Sequence, residues 1–235
     1  MSRAILVTGA TGFVGRAVVA ALAEGERPVV ALVRRFVDDL PAGVIQRRSP
    51  AIETLDQDGW LSALEGIGAV IHCAAIAHIG PDVPDSQYDA VNHRAVAALA
   101  DAARIAGIDR IVFLSSIRAQ CGPASDEVQT EASTPQPTDA YGRAKLDGER
   151  ALSASGVPFV ILRPVLVVGD EPKGNLRLLA RLARDLGRQV RQGRYHQPAM
   201  LLTRTGTRLG AQSSASAPLL AGRLRTPVSA NRPGV

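Results

Sequence analysis

Tyr141 and Lys145 are four residues apart in a segment whose composition predicts a helix. Residues at this spacing lie on one face of a helix, so the phenol and the ammonium group would be neighbours. A phenol with an ordinary pKa of about 10 is a poor base at neutral pH, but a nearby positive charge lowers that pKa. The pair therefore predicts a site where Tyr141 exchanges a proton with a hydroxyl or carbonyl group. The alternative is an exposed tyrosine beside a solvated lysine.

A glycine-rich turn near the start of the chain predicts a nucleotide site. Residues 7–15 read Val-Thr-Gly-Ala-Thr-Gly-Phe-Val-Gly and directly follow an apolar strand. Gly9 allows a tight turn, Gly12 lets a pyrophosphate approach the backbone, and Gly15 lets the next helix pack closely. The amino terminus of that helix offers free N–H groups to phosphates. The residues predicted to contact a dinucleotide here are Gly9, Thr11, Gly12, Phe13, Val14 and Gly15. The alternative is a turn that binds no ligand.

Arg34 and Arg35 end the second predicted strand, at residues 28–33. An acidic residue at this position binds the adenosine ribose hydroxyls, whereas an arginine suits a 2′-phosphate. No Asp or Glu occurs between Arg27 and Asp38, so the pattern favours NADP(H) over NAD(H), with Arg34 as the phosphate ligand. The alternative is a solvated pair of arginines.

The positioning elements alternate between strands and helices over the first 170 residues. Short apolar segments at 29–33, 69–73, 110–115 and 157–162 are separated by helical segments that include 92–106 and 139–155. This order predicts an α/β fold, a Rossmann-type doubly wound parallel sheet. The polar segment 122–138 is predicted to be a surface loop near the site.

Composition excludes several classes of protein. The net charge of +5 is unevenly distributed, with 17 basic and 21 acidic residues in 1–180 against 10 and 1 in 181–235. No apolar run approaches the roughly 20 residues of a membrane span, and no signal peptide is visible. Two cysteines without metal-ligand spacing indicate a cytoplasmic protein with no metal site. The basic tail lacks the aromatic interleaving expected of a nucleic-acid binder.

Together these motifs resemble the extended branch of the short-chain dehydrogenase/reductase superfamily, the NAD-dependent epimerase/dehydratase type. The resemblance covers residues 3–182 and implies an oxidoreductase, epimerase or dehydratase that acts on a nucleotide sugar, a UDP-sugar by preference. It makes Tyr141 and Lys145 the catalytic pair and gives Lys145 a second role on the nicotinamide ribose. It also implies that Ser116, or alternatively Ser115, hydrogen-bonds the reacting oxygen.

Other positions follow from the resemblance alone. It places Ala74 and Ala75 beneath the cofactor, Asn92 at the start of a dimer-forming helix near the cofactor, Pro164 near the nicotinamide, Glu53 near the adenine, and Lys173 and Asn175 in a substrate loop. It further implies a homodimer formed through the helices at 92–106 and 139–155.

The carboxyl-terminal quarter does not follow the family pattern. We expect a cofactor domain at 1–182 and a basic, poorly ordered tail at 183–235, which leaves the substrate region incomplete. Residues 190–199, back-translated and read one base later, give a sequence similar to a motif of the family, so we hypothesise a frameshift between residues 183 and 190. The alternative function is a non-catalytic NADP(H)-binding protein.

Overall fold

A six-stranded, fully parallel sheet forms the centre of the molecule. The structure is a computed structural model and describes residues 2–77, 83–125 and 128–167. The strand order is β3-β2-β1-β4-β5-β6, which confirms the predicted doubly wound α/β fold. The strands are β1 (Ala4–Thr8), β2 (Val29–Val33), β3 (Ile45–Arg48), β4 (Ile67–His72), β5 (Arg110–Leu114) and β6 (Phe159–Leu162).

Helices connect the strands. They are α1 (Phe13–Ala23), α2 (Gln57–Ala63), α3 (Asp85–Asp89), α4 (Ala95–Ile105) and α5 (Ala140–Ala154). A π-helical turn, Ala90–Arg94, joins α3 to α4 without a break. Two short 3₁₀ turns, Ile52–Thr54 and Ile117–Ala119, follow β3 and β5. None of the helices in the described residues is long and apolar enough to cross a membrane.

Two apolar layers cover the sheet because successive strand residues point to opposite faces. Leu6, Val30 and Leu32 join Trp60 and the apolar faces of α2 and α4 in the larger core. The alternate strand residues, including Val7 and Ala31, pack with α1 on the other face. All five residues of β2 are buried, as expected of a strand covered on both sides.

Two elements, β3 and α2, were not predicted from the sequence. β3 reads Ile-Gln-Arg-Arg and lies at the edge of the sheet, so its polar side chains give no apolar pattern. α2 has only seven residues and starts at an Asp56 cap, whose carboxylate accepts from the Gly59 amide at 2.8 Å. The predicted helix at 92–106 also begins earlier, at Asp85, because the π-helical turn carries it through residues 90–94.

Candidate functional site

The predicted site lies at the carboxyl edge of the sheet, where β1 separates β2 from β4. This is the switch point at which connections leave toward opposite faces, and open α/β sheets bind ligands there. Gly9 follows β1 with a φ of 65°, a conformation that favours glycine. A Cβ on Gly9 would lie 2.6 Å from the amide nitrogen of Ala74, so the turn lies directly against the segment that follows β4.

The geometry of the glycine turn is compatible with the predicted dinucleotide site. A Cβ on Gly15 would overlap the Gly9 carbonyl oxygen, so Gly15 allows the close packing predicted for α1, and the surface it packs against is the turn itself. Gly12 is the amino-terminal cap of α1 and has no side chain that could bind the first amides of the helix. A Cβ added to Gly12 would contact only the Gly9 oxygen, at 3.1 Å. The first-turn amides of α1 are thus left available to an anion, which fits a pyrophosphate. Thr11 is exposed in the turn, and Phe13 and Val14 are half-buried.

A buried polar contact joins the ends of β1 and β4. The Thr8 hydroxyl lies 3.0 Å from Nδ1 of His72 and accepts from the Ala74 amide at 3.2 Å. Burial lowers the pKa of His72 to about 3, with a further contribution from the Lys145 charge, so the imidazole is neutral. Thr8 therefore fixes the course of the chain into Ala74 and Ala75, which are half-buried and exposed, respectively.

Asn92 supports the same segment. Its side-chain oxygen accepts from the Ile76 amide at 3.0 Å, and its side-chain nitrogen donates to the Ile76 carbonyl at 2.8 Å. Asn92 is fully buried in the π-helical turn. These contacts place Asn92 behind the residues predicted to line the cofactor site. Its side chain therefore positions the backbone of Ile76.

Arg34 lines an open groove beside β2 and β3. The groove has a volume of about 530 Å³ and is lined by Arg34, Arg48, Ser49, Pro50 and Ala51. Arg48 was not identified from the sequence, because β3 was not recognised and the neighbouring ends of parallel strands could not be paired. Glu53 lies on the following 3₁₀ turn and is exposed.

The structure distinguishes the two serines after β5. The Ser115 hydroxyl is buried and donates to the Glu149 carboxylate. The Ser116 hydroxyl instead accepts from the Arg118 amide at 3.2 Å, and it lies close enough to Tyr141 to lower the pKa of the phenol. Of the two alternatives, Ser116 is the one that meets the predicted catalytic tyrosine.

Tyr141 lies near the start of α5, and the pKa of its phenol is raised, not lowered as the sequence predicted. Burial is the largest cause of the rise and Tyr88 adds to it, while Ser116 and the Arg118 charge partly oppose it. The rings of Tyr88 and Tyr141 meet edge to face, with centroids 5.9 Å apart. The positive charge expected to act on Tyr141 was that of Lys145; in this structure the cation that lowers its pKa is Arg118.

Lys145 is buried one helical turn further along α5, with 1% of its surface exposed. Its ammonium nitrogen donates to the Leu114 carbonyl at 2.9 Å and lies 4.7 Å from the centre of the Phe113 ring. Burial lowers the pKa of Lys145 to about 7, against the opposing influence of Cys73 and Glu149. The buried side chain therefore loses its proton far more readily than an exposed lysine does.

An ion pair between a buried carboxylate and a partly exposed arginine supports this region and was not predicted from the sequence. Glu149 is 4% exposed and accepts from Nε of Arg163 at 2.9 Å. Arg163 also contacts Gln120, whose side chain donates to the Ser133 carbonyl at 2.7 Å. The network ties α5 to the loop before it and to the segment after β6. No local spacing signals this pair, because Glu149 and Arg163 are 14 positions apart and lie on different elements.

Pro164 lies beside the serines. Its carbonyl accepts from the Ile117 amide at 3.1 Å, which places the Arg163-Pro164 segment along the turn after Ser116. Lys173 and Asn175, the predicted tail at 183–235 and the proposed frameshift position lie outside the described residues. Among the described residues, no group of His, Cys, Asp and Glu side chains has the arrangement of a metal site.

The fold is that of a doubly wound α/β protein, with a glycine turn after β1 at the switch point of its sheet. A sequence model of the NAD dependent epimerase/dehydratase family matches residues 5–209. The chain belongs to this family.

Similar proteins give the family its context. The chain is 31% identical over 191 residues to a UDP-glucose 4-epimerase of Vibrio cholerae, covering 77% of the chain and 57% of the relative. It is 30% identical over 174 residues to methionine adenosyltransferase 2 subunit beta of Rattus norvegicus, covering 73% and 49%. Among solved structures, MoeE5 in complex with UDP-glucose and NAD matches with a TM-score of 0.66 and 32% identity, covering 77% of this chain and 60% of that one. The chain thus spans about half the length of these curated relatives.

Proposed function

We propose that this chain carries the cofactor site and the acid–base site of an enzyme that acts on a nucleotide sugar, specifically a UDP-sugar. The observation that carries the proposal is the meeting of Ser116 with Tyr141, one helical turn before Lys145, at the same sheet edge as the glycine turn. The substrate class rests on the similarity to the Vibrio cholerae epimerase and to MoeE5, whose structure holds UDP-glucose.

The cofactor in this proposal is a nicotinamide dinucleotide, which supplies hydride transfer when bound. The pyrophosphate would be held by the turn from Gly9 to Gly15 and the first amides of α1. Ala74, Ala75, Pro164 and Lys145 would line the rest of its path, with Asn92 supporting that path from behind and Glu53 near the adenine.

We infer a preference for NADP(H) over NAD(H) from the groove beside β2. Arg34 and Arg48 line the same groove together with Ser49. Two guanidinium groups suit a phosphate better than they suit a pair of ribose hydroxyls. MoeE5 was solved with NAD, so the preference is a property proposed for this chain.

The residues divide the chemistry in the following way. Tyr141 exchanges a proton with the reacting hydroxyl or carbonyl oxygen of the sugar, and Ser116 hydrogen-bonds both the phenol and that oxygen. Lys145 supplies a donor from the buried floor of the site. Lys173 and Asn175 are proposed to contact the substrate. The two free cysteines fit a cytoplasmic protein. We propose that the protein is a homodimer formed through α4 and α5. We propose neither nucleic acid nor a membrane as a partner.

A second candidate is a non-catalytic NADP(H)-binding protein. The similarity to methionine adenosyltransferase 2 subunit beta, a protein named as a subunit of another enzyme, favours it. The two candidates share the cofactor site and differ in whether Tyr141 acts on a substrate.

Fluorescence titration with NADPH and NADH, followed by a screen of UDP-sugars and dTDP-sugars, tests both candidates. We expect tighter binding of NADPH, and turnover that falls about 10²-fold or more in Tyr141→Phe while cofactor affinity is unchanged. Arg143→Gln is the matched control, because Arg143 lies on the exposed side of the same helix turn. Turnover retained in Tyr141→Phe would contradict the assigned site. Binding of NADPH without turnover of any sugar would favour the second candidate.

A further inference from the structure

We propose that Arg118 is a positioning residue of the acid–base site, which holds Ser116 and Tyr141 in contact and supplies the permanent positive charge beside the phenol. The inference rests on the proposed function of Ser116 and Tyr141. No sequence pattern predicted a role for Arg118.

The backbone of Arg118 determines how the serine and the helix meet. Arg118 lies in the 3₁₀ turn that follows β5, and its amide donates to the Ser116 hydroxyl at 3.2 Å. Its carbonyl oxygen occupies the place that a Cβ on Gly142 would take. The start of α5, including Tyr141, therefore rests directly against the turn that holds Ser116.

The side chain of Arg118 strengthens the same junction. Its guanidinium group pairs with the Asp139 carboxylate, and the other Asp139 oxygen caps α5 by accepting from the Gly142 amide at 2.6 Å. Asp139 thus connects the arginine to the helix end that carries Tyr141. Nε of Arg118 is buried and has no hydrogen-bond partner among the described residues, so one donor of the guanidinium remains unused.

Three groups act on the phenol from the elements packed around it. Tyr88 approaches from α3, and Ser116 and Arg118 approach from the segment after β5. The Lys145 ammonium is engaged by Leu114 and is partly neutral near pH 7, because burial lowers its pKa to about 7. An arginine stays protonated throughout this range. Arg118 is therefore the cation that remains when Lys145 loses its proton, in agreement with its lowering of the Tyr141 pKa.

The test measures the ionisation of Tyr141 without cofactor or substrate. Replacing the tyrosines by 3-fluorotyrosine brings their titration into a milder pH range, and ¹⁹F NMR resolves each one, with Tyr141→Phe identifying the signal. We expect Arg118→Gln to move the Tyr141 midpoint to higher pH, and Arg118→Lys to restore most of the difference. Arg143→Gln, which removes an exposed cation from α5, should leave the midpoint unchanged. An unchanged midpoint in Arg118→Gln, or an equal shift in Arg143→Gln, overturns the proposal.

A second substitution, which should shift the Tyr141 midpoint in the opposite direction, separates an effect of charge from a structural disturbance. Asp139→Asn keeps a good helix cap but removes the counter-charge of Arg118, so the Tyr141 midpoint should move to lower pH. The part of this shift that acts through Arg118 should be lost in the Arg118→Gln background, so the shift there should be smaller. An equal acid shift in both backgrounds overturns the proposal, because Asp139 would then act on the phenol without Arg118. If Arg118→Gln does not fold, as judged by circular dichroism, Arg118→Lys with Asp139→Asn decides: the Asp139→Asn acid shift must survive when position 118 carries lysine.

Turnover provides the link to the proposed function. If a sugar substrate is found, the pH profile should move with the NMR midpoint in each variant. Failure to find any turnover would contradict the proposed enzyme and leave the ionisation result standing, so the two failures can be told apart.

Discussion

The ammonium nitrogen of Lys145 donates a 2.9 Å hydrogen bond to the carbonyl oxygen of Leu114, the last residue of β5. The lysine is thereby anchored to the sheet from the buried side of α5. One backbone hydrogen bond and the Phe113 ring compensate only part of the cost of burying this charge.

Lys145→Met should stabilise the protein in a pH-dependent way. Burial lowers the pKa of Lys145 from 10.5 to about 7. Between these values the unfolded chain binds more protons, so the stability of the wild type rises with pH across this window. Below pH 7 the full cost of the buried charge is present. We expect the Lys145→Met substitution to raise the free energy of unfolding by about 1–3 kcal/mol at pH 6, and by progressively less toward pH 10.

Urea unfolding at pH 6, 8 and 10 measures this difference. Arg143→Met, which replaces an exposed cation on the same helix, is the control and should show no such trend. A gain for Lys145→Met that is constant with pH would mean that the folded protein does not lower the pKa of the lysine.

Arg163→Met should be strongly destabilising. It removes the partner of Glu149, which is 4% exposed and holds the arginine through both oxygens. An unpaired buried carboxylate costs about 3–5 kcal/mol. Glu149→Met combined with Arg163→Met should recover most of the loss, because no unpaired carboxylate is then left in the interior. Chemical denaturation of the two variants checks this, with Arg150→Met as the control: Arg150 pairs with Asp147 at the surface and should change stability by less than about 1 kcal/mol. Equal losses for Arg163→Met and Arg150→Met would refute the importance of the buried pair.

Gly12 and Gly15 should respond differently to substitution. A Cβ at position 15 overlaps the Gly9 carbonyl, so Gly15→Ala must shift the turn and should cost about 1–3 kcal/mol of stability. Gly12 has extended backbone angles and only one close neighbour, so Gly12→Val should fold with a loss of about 1 kcal/mol or less. It should nevertheless abolish dinucleotide binding, because its side chain occupies the approach of the pyrophosphate.

Thermal melts and NADPH titration separate these two effects. Gly25→Ala, just after α1, is the control and should preserve both properties. Normal NADPH affinity in Gly12→Val would exclude this turn as the cofactor site.

Arg48→Gln should weaken NADPH binding about tenfold, equivalent to about 1.4 kcal/mol, and leave NADH binding unchanged. The reason is that Arg48 lines the same groove as Arg34 and would share the charge of a 2′-phosphate. Arg34→Asp should reverse the preference, since it exchanges a phosphate partner for a ribose partner. Fluorescence titration of both cofactors gives the ratio, and Arg35→Gln is the neighbouring control. Equal losses for NADPH and NADH in Arg48→Gln would argue against a phosphate in this groove.

Local features of this protein were predictable from the sequence alone. The strand before Gly9, the helix after Gly12 and the spacing of Tyr141 and Lys145 all depend on residues close in the chain. Backbone sterics, helix periodicity and apolar runs act over this range, and the parallel sheet follows from the alternation of such segments. The edge strand β3 was not predicted because its polar side chains lack that apolar signal.

Only the tertiary structure decided which distant side chains meet. Arg34 joins Arg48 because two parallel strands end at the same edge, and Ser116, rather than Ser115, reaches Tyr141 because the chain turns after β5. Arg118 replaces Lys145 as the cation acting on the phenol for the same reason: packing of α5 directs the lysine toward Leu114 and places the arginine at the helix start. Such pairings depend on the register and packing of several elements at once, and no local pattern in the sequence records them.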